Sequence, residues 1–161
     1  MTVKEYNRAV DLFSDGIFRF VLKSMPEQET AKDIVQESFV RLWDKYHGID
    51  FEKCKSYLFT TAYHLIVDMV RKNKHKQMYL KSQAPEPVTY DEFTDLKTVL
   101  DEALERLPEI QRTVVLLRDY EGYSYEEIGE ITQLNESQVK VYIYRARKAL
   151  KSYIVNVDVV I

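Results

Sequence analysis

Apolar residues recur through the first part of the chain at alternating intervals of three and four. Val3, Tyr6, Val10, Phe13, Ile17 and Phe20 fall on one side of a helix that should close near Pro26. A second helix follows, with Ala31, Ile34, Val35, Phe39, Leu42, Trp43 and Tyr46 inward and a stop before Gly48. The third starts near Lys53 and carries Leu58, Ala62, Leu65, Ile66 and Met69 inward until it enters the run RKNKHK. These three helices can bury one core. The pattern then breaks: KSQAPEPVTYDEF holds two prolines and no helical period, so it reads as a linker. Beyond it, Leu96, Leu100, Ala103, Leu104 and Leu107 define a fourth helix over about 94–107. Pro108 opens a fifth, with Ile110, Val114 and Leu117 inward.

Two shorter signals come next. Ser124 is followed three residues on by Glu127, and Asn135 by Gln138, each the relation of a capping box and each a helix start. Helices that begin about eleven residues apart, joined through TQLNE, have the spacing of a helix-turn-helix. The second of them should bury Val139, Ile143, Ala146 and Leu150. Glu136, Ser137, Lys140, Val141, Tyr144, Arg145 and Lys148 then face away.

Composition narrows the class. No run of Val, Ile and Thr alternation with tight turns appears, and 4 glycines and 4 prolines in 161 residues are few, so an all-helical protein is expected. No apolar run is long enough to span a bilayer, and MTVKEYNRAVD lacks the basic flank and apolar core of a signal peptide. A cytoplasmic protein is expected, and the single cysteine, Cys54, fits a reducing compartment.

The formal net charge of −3 averages segments of opposite sign. Residues 86–136 hold 14 acids and 4 bases, while residues 137–161 hold 5 bases and 1 acid. The basic stretch coincides with the outward face of the last helix. A solvated helix whose cations complement its own dipole would look similar. The two caps, the short connection and the absence of acids from Ser137 to Asn156 favour DNA binding instead. In this motif, short polar side chains reach base edges while cations meet phosphates. Ser137 and Lys140 suit bases; Arg145, Arg147 and Lys148 suit the backbone.

The stretch SYLFTTAYHLIVDMVRKNKHK joins Tyr57, Phe59 and Tyr63 to a basic helix end, a combination suited to unpaired nucleic acid. The same aromatics could be core and the same cations a helix terminus. Tyr57 and Phe59, two residues apart, cannot both face inward, so one lies near a surface. His64 and Asp68, with Cys54 and His47 upstream, lack the compact spacing of a structural zinc site, and no metal or other cofactor is expected. Without a Gly-rich phosphate loop, a zinc-protease motif or a serine elbow, the chain reads as a non-enzyme with no small-molecule substrate.

Taken together, these stretches resemble a known family over nearly the whole chain, the extracytoplasmic-function (ECF) group of bacterial sigma-70 type RNA polymerase sigma factors. AKDIVQESFVRLWDK is similar to the family's core-polymerase-binding helix, and SYLFTTAYHLIVDMVRK to its promoter-melting and minus-10 segment. The stretch LPEIQRTVVLLRDYEGYSYEEIGEI with VKVYIYRARKAL resembles its minus-35-binding domain. The resemblance implies two small helical domains, at 1–77 and 94–155, joined by a flexible linker at 78–93 and followed by a tail at 156–161.

It also implies roles. Asp33, Gln36, Glu37 and Arg41 would dock on core RNA polymerase. Tyr57, Tyr63, His64, Arg71, Lys72, Lys74 and Lys76 would serve minus-10 and single-strand DNA binding. The loop from His47 to Lys55 would capture a flipped base, whose lost stacking a pocket must offset. The outward residues of the last helix would read the minus-35 element of promoter DNA. Glu86, Asp91 and Glu92 in the linker would pass near the polymerase active-site channel, and a membrane-linked anti-sigma factor would be the regulator. His64 stands where the family usually has asparagine, and Gln138, Val141 and Tyr142 replace a usual threonine, serine and arginine. The rival readings are a stand-alone helix-turn-helix regulator, expected on a palindromic site, and a helical adaptor using DIVQESFVRLW for protein partners alone.

Overall fold

A computed structural model describes residues 1–25, 27–79 and 96–160, with the side chains of 75–79 and 156–160 outside the description. Seven α-helices make up nearly all of it: α1 (Val3–Ser24), α2 (Gln28–Lys45), α3 (Phe51–Tyr79), α4 (Leu96–Arg106), α5 (Glu109–Val115), α6 (Tyr125–Thr132) and α7 (Glu136–Val160). A 3-10 turn at Tyr46–Gly48 ends α2, and a π-helical turn at Leu116–Tyr120 extends α5. The described residues contain no strand, as the composition predicts. The linker acids Glu86, Asp91 and Glu92 and the side chain of Lys76 lie outside the described residues. Helix α3 continues two residues into the segment read as linker, and α7 continues through Val160, into the segment read as a tail.

Local chemistry sets the helix boundaries. Thr2 accepts a hydrogen bond from the Glu5 amide at 3.1 Å while the Glu5 carboxylate accepts one from the Thr2 amide at 3.1 Å, so α1 begins on a complete capping box. Pro108 caps α5, where its missing N–H costs nothing.

The three amino-terminal helices pack against one another, and α5, α6 and α7 form the second unit with α4 lying along α7. Ile17, Phe20, Leu42, Leu58 and Ile66 are fully buried in the first unit, and Leu104, Leu116, Leu117, Ile128, Ile131 and Ile143 in the second. These residues belong to one continuous apolar core. It is continuous because α6 packs on α3 and α4 and α5 reach α1.

Three positions read as inward are exposed. Val3 and Leu96 are the first residues of their helices, where the period points inward but no element among the described residues covers the side chain. Trp43 is exposed because it lies at a rim, its ring edge-on to Tyr6 at 5.0 Å and stacked on Tyr46 at 4.9 Å. Ala9, Val21 and Val99, not counted in the inward sets, are buried.

Candidate nucleic-acid interface

The helix-turn-helix is built from reciprocal hydrogen bonds. Ser124 Oγ accepts from the Glu127 amide at 3.1 Å and Glu127 Oε1 from the Ser124 amide at 3.0 Å. Asn135 Oδ1 accepts from the Gln138 amide at 2.8 Å and Gln138 Oε1 from the Asn135 amide at 3.0 Å. Each box satisfies two backbone donors that a helix start leaves unpaired. Between the helices, Gln133 takes a left-handed conformation with φ 63°. The turn closes so tightly that a Cβ at Gly129 would lie 2.7 Å from the Leu134 carbonyl oxygen. Only glycine permits that approach.

Helix α7 then sorts its faces as the period requires. Val139, Ile143 and Ala146 are buried and Leu150 is half-buried. Glu136, Ser137, Lys140, Val141, Tyr144, Arg145 and Lys148 are all exposed on the other side. Among the residues that depart from the family pattern, Gln138 is engaged in the cap and Tyr142 is half-buried, while Val141 stands out to solvent.

The cations of this helix are not equivalent. Lys140 Nζ lies 3.3 Å from the Glu136 carboxylate and 5.5 Å from the centre of the Tyr125 ring, which also carries the Arg118 guanidinium at 4.5 Å. Arg147, read as a phosphate contact, holds Asp119 with two bonds, Nε to Oδ2 at 3.0 Å. That bond raises the Arg147 pKa further. Its charge is therefore partly neutralised within the molecule, although its side chain is exposed like those of Arg145 and Lys148.

The first unit divides its candidates between faces. Asp33, Gln36, Glu37 and Arg41 are exposed along α2, with Arg41 Nε on Glu37 Oε1 at 3.1 Å. Asp33, Glu37 and Arg41 line a shallow cleft between α2 and α3 that Lys72 also enters. So Lys72, grouped in sequence with single-strand contacts, sits beside the α2 face. Tyr57, His64 and Arg71 follow one another seven residues apart on α3 and share a side. His64 and Arg71 are exposed there, as is Lys74, and Tyr57 is half-buried with its hydroxyl 3.5 Å from the Arg41 carbonyl.

Tyr63 lies on another side of α3. Its hydroxyl pKa is raised by burial and by the charge of Glu109 on α5. Of Tyr57 and Phe59, it is Phe59 that is core, its ring 5.5 Å from Phe20. One feature escaped the sequence reading: Tyr6, Trp43, Tyr46 and His47 form a row of ring contacts that ends at the cleft made by Asp44, Lys45, Gly48 and Ile49. Trp43, Tyr46 and His47 at intervals of three and one would have marked it, had Trp43 not been assigned inward. The described residues hold no group of three or more side chains suited to a metal.

Comparison with known proteins agrees with this geometry. The family profile described as "Sigma-70 region 2" matches residues 9–76, and the one described as "Sigma-70, region 4" matches residues 97–150. The RNA polymerase sigma factor SigV of Bacillus subtilis is 31% identical over 145 residues, covering 88% of this chain and 86% of its own. The ECF RNA polymerase sigma factor SigM of the same organism is 27% identical over 159 residues, covering 94% of each chain. The fold is shared with the sigma factor RpoE of Bartonella quintana, solved with the anti-sigma factor NepR. The TM-score is 0.80 at 22% identity, over 94% of this chain and 98% of that one. With one sigma-70 profile on each half and these relatives spanning nearly the full length, the chain belongs to the ECF group of sigma-70 RNA polymerase sigma factors, which direct polymerase to promoters.

Proposed function

We propose the following division of labour within this sigma factor. Residues 1–77 bind core polymerase and the minus-10 element, 78–93 link, and 94–155 bind the minus-35 element, ahead of a tail at 156–161. The observation that carries the second assignment is the doubly capped helix-turn-helix with an outward face of Ser137, Lys140, Val141, Tyr144, Arg145 and Lys148. Lys140, held between a carboxylate and a ring, reaches a base edge. Arg145 and Lys148 contact phosphates. The exposed α2 row of Asp33, Gln36, Glu37 and Arg41 docks on polymerase. Tyr57, His64, Arg71 and Lys74 follow the unpaired strand, and the aromatic row ending at His47 receives a flipped base.

The chain acts as a cytoplasmic regulator without catalysis of its own. An anti-sigma factor is its regulator, a reading supported by the solved RpoE relative bound to NepR. Two weak DNA contacts presented on one polymerase gain from effective concentration, so neither unit needs tight binding alone. A run-off transcription assay with purified core polymerase on genomic fragments tests the reading. Promoter-specific transcripts that depend on this chain support it; none from a core verified as active would refute it. A stand-alone regulator would instead bind a palindromic site without core.

A further inference from the structure

The outward face of α7 carries two rows at four-residue spacing: Lys140, Tyr144 and Lys148, and beside them Ser137, Val141 and Arg145. Every member but one can hydrogen-bond. Val141 is apolar, yet it is 45% exposed in the second turn of the helix, between the hydroxyl of Ser137 and the guanidinium of Arg145 in its row.

The fold does not account for that side chain. Val139, Ile143 and Ala146 supply the buried side of α7, and an exposed valine adds little to them. Nor does helix formation: a β-branched residue is a poorer helix former than the lysine, glutamate or arginine common on exposed faces.

The neighbours of Val141 narrow what this part of the face can read. Gln138, whose amide could otherwise pair with adenine, is turned back so that its Oε1 accepts from the Asn135 amide at 3.0 Å. The Lys140 ammonium is drawn aside, 3.3 Å from Glu136 and 5.5 Å from the centre of the Tyr125 ring. Tyr142 is half-buried. What remains open is a shallow cleft where Val141 meets Ser137, Gln138 and Arg145. The methyl groups of Val141 are its apolar, outward-facing part.

Base pairs present one apolar group in the major groove, the C5 methyl of thymine; the other groups read there are donors and acceptors. An apolar side chain set against a donor or acceptor would leave it unpaired, at a cost in affinity. Set against a methyl group, it excludes water from two apolar surfaces at once. The surroundings favour a close approach to duplex DNA: Lys140, Arg145 and Lys148 are exposed around Val141, and no acid occurs from Ser137 to Asn156.

We propose that Val141 selects a thymine in the upstream promoter element through its C5 methyl, an inference that rests on the minus-35 reading of α7 above. The preference is for a methyl group and not for a hydrogen-bond pattern. Uracil is therefore disfavoured at that position although it pairs as thymine does, and 5-methylcytosine is preferred there to cytosine.

Holoenzyme assembled from the full chain and core polymerase, on a promoter that yields transcripts, tests this. Each thymine of the minus-35 element, on either strand, is replaced singly by deoxyuridine, which removes only the methyl group, and promoter affinity is measured. One replacement should weaken binding by the parent chain about fourfold, the worth of one buried methyl group. Val141→Ala should bind the thymine and deoxyuridine promoters equally, the non-additivity that marks a direct contact. With cytosine at the same position, 5-methylation should strengthen binding by the parent chain and leave Val141→Ala unmoved. A substitution that merely disturbed α7 would lower affinity for both promoters and keep their ratio, so the ratio separates reading from structure. A parent chain indifferent to deoxyuridine at every position, or a ratio that survives Val141→Ala, would overturn the assignment. Either result would leave the sigma-factor reading standing, because the promoter was chosen for its transcripts. Missing transcripts from a core verified as active would instead remove that reading and this assignment with it.

Discussion

The carboxyl-terminal unit starts the helix proposed to face DNA with bonds three residues long, while the amino-terminal unit completes one of its faces with groups about 60 to 100 residues away. In α6 and α7 the caps run from Ser124 to Glu127 and from Asn135 to Gln138. In α1 the exposed Arg19 finds Glu121, and in α3 the Phe59 ring is covered by Tyr123. A locally specified helix-turn-helix keeps its reading face whether or not the other unit is present. A face finished by a distant turn changes when that turn leaves. This difference suits the fixed reader of duplex DNA proposed for the carboxyl-terminal unit.

The comparison can be broken most severely at the shared ring. Phe59→Ala should cost about 3–5 kcal/mol, because the ring packs on Phe20 and on Tyr123 at once. Chemical denaturation should show both units weakened together. Loss confined to α1–α3 would mean that the continuous core is not cooperative.

Lys140→Ala should come next, weakening promoter use by about 1–3 kcal/mol with core-polymerase binding intact. Promoter and core affinities measured side by side decide it. An equal fall in core binding would reassign α7.

Asn135→Ala should cost about 1 kcal/mol of stability through the lost cap. Thermal melting measures that loss. The smallest effect expected is at Lys32, whose 4.0 Å pair with Glu29 is largely exposed. Lys32→Ala should move stability by less than about 0.5 kcal/mol, as thermal melting can check.

The helix-turn-helix was legible almost residue by residue. Its outward set on α7 is exposed as the period predicts, and both capping boxes form. Its signals are short-range, and a single helix carries the whole face proposed to read DNA. The α1–α3 unit was less legible. The period placed Trp43 inward, but a large aromatic can satisfy itself at a rim by stacking on Tyr6 and Tyr46. Phe59 and Tyr63 looked like candidates for unpaired bases in sequence; Phe59 is core, and Tyr63 is half-buried on a side of α3 near Glu109.

The sequence by itself determined the all-helical class, the caps that start α6 and α7, and the basic outward face of α7, because each depends on residues within two turns of one another. Arg147 shows where that reach ends. Its position on the helix suited a phosphate, and only the fold brought Asp119, 28 residues earlier, under its guanidinium. The tertiary structure alone decided that Glu121 meets Arg19 beside Gly16 and that Tyr123 seats on Phe59. No periodicity encodes a contact between a turn and a helix so far apart in the chain. It follows from how two helical units share one apolar core.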